Sequence, residues 1–370
     1  MALTDVRAAL LAGGLGERMG RLTVDLCKPL VPYAASCRLV DFSMANAVRS
    51  GVREVVVLSR HRERDLLGHL AAHWDGTGTR LNFGPHDALM RVPTGPPDVL
   101  PARPRERGTA DALINNAPYL LAPGARDLLV LHADHVYALD YGPMVAAHRE
   151  SGADMTIGVQ RVERRFVPLF GMVDVDEHRR VRALVEKPAV PTSDLVFTAF
   201  CLFRTDTLRE VLGELAARDS DAWEHDISRD VIPTVIASGR KVIAYPVKDY
   251  WADVGTAERY LSEHLKLLNR PAPLPPHDLP VTLADAPPRL DTRTNTLVGA
   301  GVAVSATASV HTSVLFPGCS VGPGAVLERA VLLPGARVPA GALVRDAVVP
   351  ACPGAPLNHP RTSSPTGRMS

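Results

Sequence analysis

Leu10-Leu11-Ala12-Gly13-Gly14-Leu15-Gly16-Glu17-Arg18-Met19-Gly20 is the stretch on which the reading of this chain turns. It continues the short apolar run Arg7–Leu11, which has the make-up of a buried parallel strand. Glycines directly after a strand let the backbone turn tightly and bring amide N–H groups close to a polyphosphate. A P-loop would need GxxxxGK[ST], which this stretch lacks, and a dinucleotide fingerprint started at Gly14-x-Gly16 meets Met19 at its third glycine. By itself the loop also fits any tight turn after a strand. Arg18 follows it, however, and Lys28-Pro29 comes ten residues later, so two fixed cations lie near the same turn.

Working outward, Val55–Leu58, Leu128–Leu131, Asp154–Val159, Val181–Val185, Val196–Phe203 and Lys241–Tyr245 read as further strands. Phe42–Gly51 and Tyr141–Glu150 read as helices stopped by glycine. Strands alternating with helices predict an α/β domain with a mainly parallel sheet covered on both faces, spanning residues 1–269. Residues Arg80–Arg107 lack regular pattern, as functional or mobile loops do. The proline-rich stretch 270–295 reads as a semi-rigid linker. From 296 to 350 the texture changes to aliphatics at near-six-residue steps: Val298, Val304, Val310, Leu315, Val321, Leu327, Leu333, Val338 and Val344. Such a rhythm predicts a short β-helix of about three coils at roughly 18 residues each. The tail, 351–370, has the composition of a disordered segment.

Among 370 residues, Lys+Arg number 41 and Asp+Glu 40, a net charge of +1 that offers no broad attraction to nucleic acid or an anionic membrane. The five cysteines are scattered and include no CxxC, so neither a disulfide framework nor a zinc site is expected. His132 and His135 are two imidazoles without a further ligand cluster in the sequence, which also argues against zinc. With no signal-peptide pattern and no long apolar span, a cytoplasmic protein is the expectation.

Leu10–Pro29 resembles the nucleotidylyltransferase signature, in which A-G-G-x-G-x-R-[LM] precedes K-P. Downstream, Arg38-Leu-Val-Asp41-Phe42, Arg107-Gly108-Thr109-Ala110-Asp111, Ala133-Asp134-His135-Val136-Tyr137 and Phe170-Gly171 follow in order. Val185-Glu186-Lys187-Pro188, His225-Asp226 and Tyr250-Trp251-Ala252-Asp253-Val254-Gly255-Thr256 complete the series. Together they resemble bacterial ADP-glucose pyrophosphorylase (glucose-1-phosphate adenylyltransferase) over nearly residues 5–350.

The resemblance implies a Rossmann-like nucleotidyltransferase domain followed by a left-handed β-helix. It implies that a sugar 1-phosphate attacks the α-phosphorus of a nucleoside triphosphate, ATP by preference, with pyrophosphate leaving. Such a transfer is mostly positioning and charge neutralisation. Gly13, Gly14 and Gly16 would then wrap the triphosphate, with Arg18 and Lys28 stabilising charge on the leaving group. Gly108, Thr109 and Asp111 would lie near the nucleotide; Asp134 and Asp253 would hold Mg²⁺. Gly171, Glu186, Lys187 and Asp226 would serve the sugar phosphate. A homotetramer is the implied assembly.

The chain departs from that pattern in definite places. Asp25 and Leu26 stand where activated members carry basic residues, so no response to fructose 1,6-bisphosphate is expected. Glu106 replaces a tyrosine, Phe197 a serine, Ala199 a glycine and Ala252 an arginine. The family's base-reading stretch has no clear counterpart in Leu81–Ala88. ADP-glucose synthesis for α-glucan formation is therefore the expectation, with two alternatives: a different sugar or base, or a catalytically weak subunit that modulates an active partner.

Overall fold

The computed structural model describes residues 3–14, 16–59, 63–83 and 106–351. In the first part of the chain the elements run β1 (Val6–Leu11), β2 (Pro32–Tyr33), β3 (Cys37–Arg38), α1 (Leu39–Arg49), β4 (Glu54–Leu58), α2 (Glu63–Trp74) and β5 (Arg80–Asn82). Next come α3 (Thr109–Asn115), α4 (Ala117–Leu120), β6 (Asp127–His132), β7 (His135–Tyr137), α5 (Gly142–Ser151) and β8 (Met155–Arg161). The domain closes with β9 (Gly171–Val175), β10 (Val181–Glu186), β11 (Leu195–Arg204), α6 (Thr205–Ala217), α7 (Ile232–Ala237), β12 (Val242–Pro246), β13 (Trp251–Asp253) and α8 (Ala257–Lys266).

The large sheet runs β10-β9-β11-β6-β1-β4-β5, with β8 joining β11 to β12. Strands β6, β1, β4 and β5 are mutually parallel, and β8 pairs parallel with β12. Strand β11 runs antiparallel to β6, β8 and β9. The parallel part carries the glycine loop. All six side chains of β1 are buried, alternating between two cores. Ala9 and Leu11 pack with α3, α6 and α7, while Ala8 and Leu10 pack with α1, α2 and α5. Burial on both faces explains why β1 reads as a continuous apolar run.

The second part is a left-handed β-helix of β14 (Arg289–Asp291), β15 (Thr296–Val298), β16 (Ala303–Val304), β17 (Ser309–His311), β18 (Val314–Leu315), β19 (Ser320–Val321), β20 (Val326–Leu332), β21 (Arg337–Val338) and β22 (Leu343–Val349). Leu297, Val314, Val331 and Val348 stack in parallel register, a step of 17 residues per coil. One side of each coil is therefore a residue shorter than the other two, which accounts for the slip in the six-residue rhythm. It also moves one column member: Leu332, not Leu333, stands between Leu315 and Val349.

The stretch expected as a linker is held against the first domain. Leu274 and Leu279 are buried, Ser36 O accepts from the amides of Thr282 and Leu283, and Thr282 Oγ1 donates to Asp41 Oδ2 at 2.6 Å. Fully buried Asp41 also accepts from Trp74 and the Arg38 amide and faces His69 Nε2, so it ties α1, α2 and this stretch together. A further core joins the two parts, with Tyr33, Tyr260 and Leu267 meeting Leu315, Phe316 and Leu332. The tail from 352 and most of the irregular Arg80–Arg107 stretch (84–105) lie outside the described residues. Among the described residues no helix is long and apolar enough to cross a membrane, and four cysteines, Cys27, Cys37, Cys201 and Cys319, are free and buried.

Candidate active site

Ligands of open α/β sheets sit beyond the carboxyl ends of the parallel strands, and the glycine loop after β1 lies there beside the Ala133-Asp134 turn after β6. The short ladder between β7 and β13 sets Asp253 opposite His135, next to Asp134. From the other side comes Lys28, whose amide donates to Gly14 O. Its side chain is nearly buried; Nζ lies 2.7 Å from Asp134 Oδ2 and 3.3 Å from Asp253 Oδ1. Burial disfavours the ammonium, but Asp134 and Asp253 outweigh it, and Lys28 titrates above the usual lysine range. Burial likewise disfavours the Asp134 carboxylate, yet Lys28 and the two neighbouring imidazoles hold it well below the ordinary range. Both carboxylates are thus ionised at neutral pH.

A divalent cation is the group the resemblance implies here, and the residues fit it. Asp134 Oδ1 is buried and has no hydrogen-bond partner among the described residues, while Oδ2 is held by Lys28. Hard cations take a few carboxylates and complete their shell with phosphate oxygens and water.

Around the loop, Gly16 adopts φ 72°, and a Cβ there would stand 2.9 Å from Lys28 Cβ and from Thr23 Cγ2. Glycine is required both for the turn and for the approach of Lys28. Gly14 is exposed and Gly13 half-buried. Arg18 is exposed, and its Nη2 and the Asp253 carboxylate flank the same face of Gly255. The loop, both cations and both carboxylates therefore converge on one place.

Gly108, Thr109 and Asp111, expected at the nucleotide, are tied to the His225-Asp226 segment. A Cβ on Gly108 would stand 2.3 Å from His225 O. Thr109 Oγ1 bonds Asp226 Oδ2 at 3.1 Å and accepts from the Ile227 amide. Asp111 is fully buried: Oδ2 accepts from the Arg107 amide and Oδ1 lies 2.8 Å from His225 Nδ1. Asp226 caps the following turn by accepting from the amides of Ser228 and Arg229. These contacts make the group an internal brace, with Asp226 also within electrostatic reach of His132.

On the other flank, β9 and β10 pair so that Glu186 lies opposite Gly171. A Cβ at Gly171 would stand 2.9 Å from Glu186 Oε2 and 3.6 Å from Phe197 Cβ, so glycine is what lets the carboxylate fold over. Lys187, half-exposed, pairs with Glu186 Oε1 at 3.0 Å. Phe197 is 6% exposed and closes this corner with an apolar wall. Next to it the β11 register breaks against β8, and Ala199 sits in the left-handed region at φ 60°.

Sequence reasoning set His132 and His135 aside for want of a third ligand. In the structure the ligand atoms of His132, Asp134 and His135 all lie within 4.8 Å of one another. Burial pushes His132 down to about 4. His135 stacks on Trp251 with ring centroids 5.5 Å apart. The H-x-D-H spacing is the signal that could have found them.

A model of nucleotidyl transferases matches residues 7–270, most of the chain and all of the loop, cations and carboxylates described above. The chain belongs to the nucleotidyl transferase family. A GlmU-like C-terminal hexapeptide model matches residues 281–352, in keeping with the β-helix. The valienol-1-phosphate guanylyltransferase of Streptomyces hygroscopicus subsp. limoneus is 48% identical over 333 residues, 86% of this chain and 88% of that one. The glucose-1-phosphate adenylyltransferase of Thermomicrobium roseum is 39% identical over 327 residues, 86% and 71% of the two chains. That of Clostridium botulinum (strain Alaska E43) is 32% identical over 336 residues, 87% and 83%. Guanylyl and adenylyl transferases thus both appear among the transferase's relatives.

Proposed function

We propose that the chain transfers a nucleotidyl group from a purine nucleoside triphosphate to a sugar-like 1-phosphate, releasing pyrophosphate. The observation that carries this is the contact of Lys28 with Asp134 and Asp253 beside the glycine loop. The acceptor's phosphate oxygen attacks the α-phosphorus and the bond to the β-phosphate's bridging oxygen breaks. Gly13, Gly14 and Gly16 present backbone amides to the triphosphate, while Lys28 and Arg18 neutralise charge as pyrophosphate departs. Asp134 and Asp253 would hold a divalent cation, Mg²⁺ being the expectation from the resemblance, which would supply screening of the phosphate charges. Lys187 pairs with the acceptor's phosphate, and Glu186 accepts hydrogen bonds from its hydroxyls beside Gly171. Gly108, Thr109 and Asp111 lie on the nucleotide side, and Asp226, bonded to Thr109, supports the acceptor side.

For the substrate pair we place GTP with valienol 1-phosphate first and ATP with glucose 1-phosphate second. The 48% identical guanylyltransferase supports that order, against 39% for the adenylyltransferase of Thermomicrobium. Phe197, an apolar wall where the resemblance places a serine, favours an acceptor other than glucose 1-phosphate and leaves the base open. The two transferase carboxylates and both cations are kept, which weighs against a purely modulatory subunit. Homotetramer formation through the β-helix accompanies this reading. Pyrophosphate release by the purified chain, with each of four nucleoside triphosphates against both acceptors, tests it. Highest kcat/KM for GTP with valienol 1-phosphate is expected. Higher kcat/KM for ATP with glucose 1-phosphate reverses the order, and silence with every pair removes the proposal.

A further inference from the structure

Asp134 divides its oxygens between two environments. Oδ2 takes the Lys28 ammonium at 2.7 Å, whereas Oδ1 is buried, without a hydrogen-bond partner, and 3.4 Å from Nδ1 of His135. That imidazole nitrogen is itself buried and makes no hydrogen bond among the described residues. The two atoms lie within ion-pair distance but without hydrogen-bond geometry, so neither satisfies the other, and an ion shared by both would. Lys28 is engaged by the other carboxylate oxygen, and the His135 ring is held by its stack on Trp251.

His132 adds a second imidazole from the last residue of β6. Its ligand atom, that of His135 and one carboxylate oxygen of Asp134 all fall within 4.8 Å of one another. Bonds of about 2.1 Å to nitrogen and oxygen put ligand atoms up to about 4.2 Å apart, so small side-chain rotations gather this set around one ion. Asp253 Oδ1 stands 4.0 Å from His135 Nε2, on the far side of the same ring. We infer that the cation site of this chain includes imidazole nitrogen from His132 and His135 besides the Asp134 carboxylate, and therefore selects Mn²⁺ or Co²⁺ over Mg²⁺. Nitrogen ligands favour first-row transition ions, whereas Mg²⁺ prefers an all-oxygen shell with several waters. This rests on the assignment of Asp134 as a metal carboxylate made above, and it changes which metal that carboxylate holds.

The test needs no substrate. Mn²⁺ alone is titrated into the purified full-length chain, and pulsed electron paramagnetic resonance reads ¹⁴N coupling to the bound ion. The expected result is coupling from directly bound imidazole, reduced in His132→Gln and in His135→Gln. Each substitution should weaken Mn²⁺ binding by about ten-fold, the lower end of what disturbing a metal ligand's surroundings costs. Mg²⁺ should displace Mn²⁺ only when present in excess over it. Should His135→Gln unfold because its stack on Trp251 is lost, the half-buried His132 carries the test alone. Bound Mn²⁺ without ¹⁴N coupling, unchanged affinity in His132→Gln, or no Mn²⁺ binding at all overturns the inference. Pyrophosphate release with Mg²⁺ in a chain that shows no ¹⁴N coupling would sink this inference and leave the proposed function standing. Strong ¹⁴N coupling in a chain that never releases pyrophosphate would do the reverse.

Discussion

Lys28 Nζ and Asp134 Oδ2 are 2.7 Å apart, an ion pair between the glycine loop's flank and the turn after β6. Because Asp253 shares the same ammonium at 3.3 Å, the trio carries one net negative charge and leaves Asp134 Oδ1 free to bind. The charge that the transfer needs is thus already assembled in the folded chain, with no substrate required to organise it.

Asp134→Asn removes that charge while Lys28 keeps Asp253 as a partner. Turnover should fall by about a thousand-fold, the scale of losing a preorganised electrostatic group. Melting temperature should shift by less than about 4 °C, since packing is untouched. Steady-state pyrophosphate release alongside a thermal melt checks both; near-normal turnover would remove Asp134 from the chemistry.

The Lys187 side chain is half-exposed and among the described residues pairs with Glu186, so its loss costs little folding energy. Lys187→Ala should raise KM for the acceptor phosphate by about ten-fold with kcat nearly kept, the pattern of lost ground-state binding. An unchanged KM would make this lysine a surface turn residue.

Ala199 occupies the left-handed region, at φ 60°, in the β11 bulge beside Phe197. Its Cβ costs roughly 1 kcal/mol in that conformation. Relief of that strain is partly offset by the freer unfolded chain of a glycine, so Ala199→Gly should stabilise the chain by less than about 1 kcal/mol in urea unfolding. Destabilisation would show that Ala199 contributes packing that outweighs the strain.

His264 couples stability to acid. It is fully buried where α8 meets the β-helix, with Nδ1 donating to Tyr260 O and Nε2 accepting from the Ala34 amide. A proton on Nε2 would face that amide N–H, and burial pushes the ring down to about 3. Unfolded histidine titrates near 6.5, so between about 6.5 and 3 the unfolded chain binds the extra proton and stability falls with pH. The loss should approach about 1.4 kcal/mol per pH unit below 6.5. Denaturant unfolding at pH 7 and pH 5 measures it, with His264→Gln flattening the slope.

How much of this was legible in the sequence follows from what is local and what is not. Strand β1, its glycines and α1 ending before Gly51 could be read directly, because burial on both faces and glycine punctuation leave local marks. The β-helix was legible as a rhythm, but its 17-residue coil was not, since the shorter side shows only as a slip between Val310 and Leu315. Asp111 looked like a helix-start carboxylate near a nucleotide; only the fold reveals His225 beneath it. The linker looked like a spacer by its prolines, while Thr282 reaching Asp41 depends on pairing across most of the chain. Likewise His132 and His135 gain meaning from the β7–β13 ladder that closes the site, which no local pattern encodes.

The central claim is transfer of the α-phosphoryl nucleotide onto a 1-phosphate acceptor. Incubation of the purified chain with GTP or ATP labelled at the α-phosphorus, valienol 1-phosphate or glucose 1-phosphate and a divalent cation tests it most directly. The account predicts label in a nucleoside-diphosphate product, with unlabelled pyrophosphate released in equal amount and the reaction lost in Lys28→Met. Orthophosphate release without label in any acceptor, or no label transfer from either donor, would contradict it.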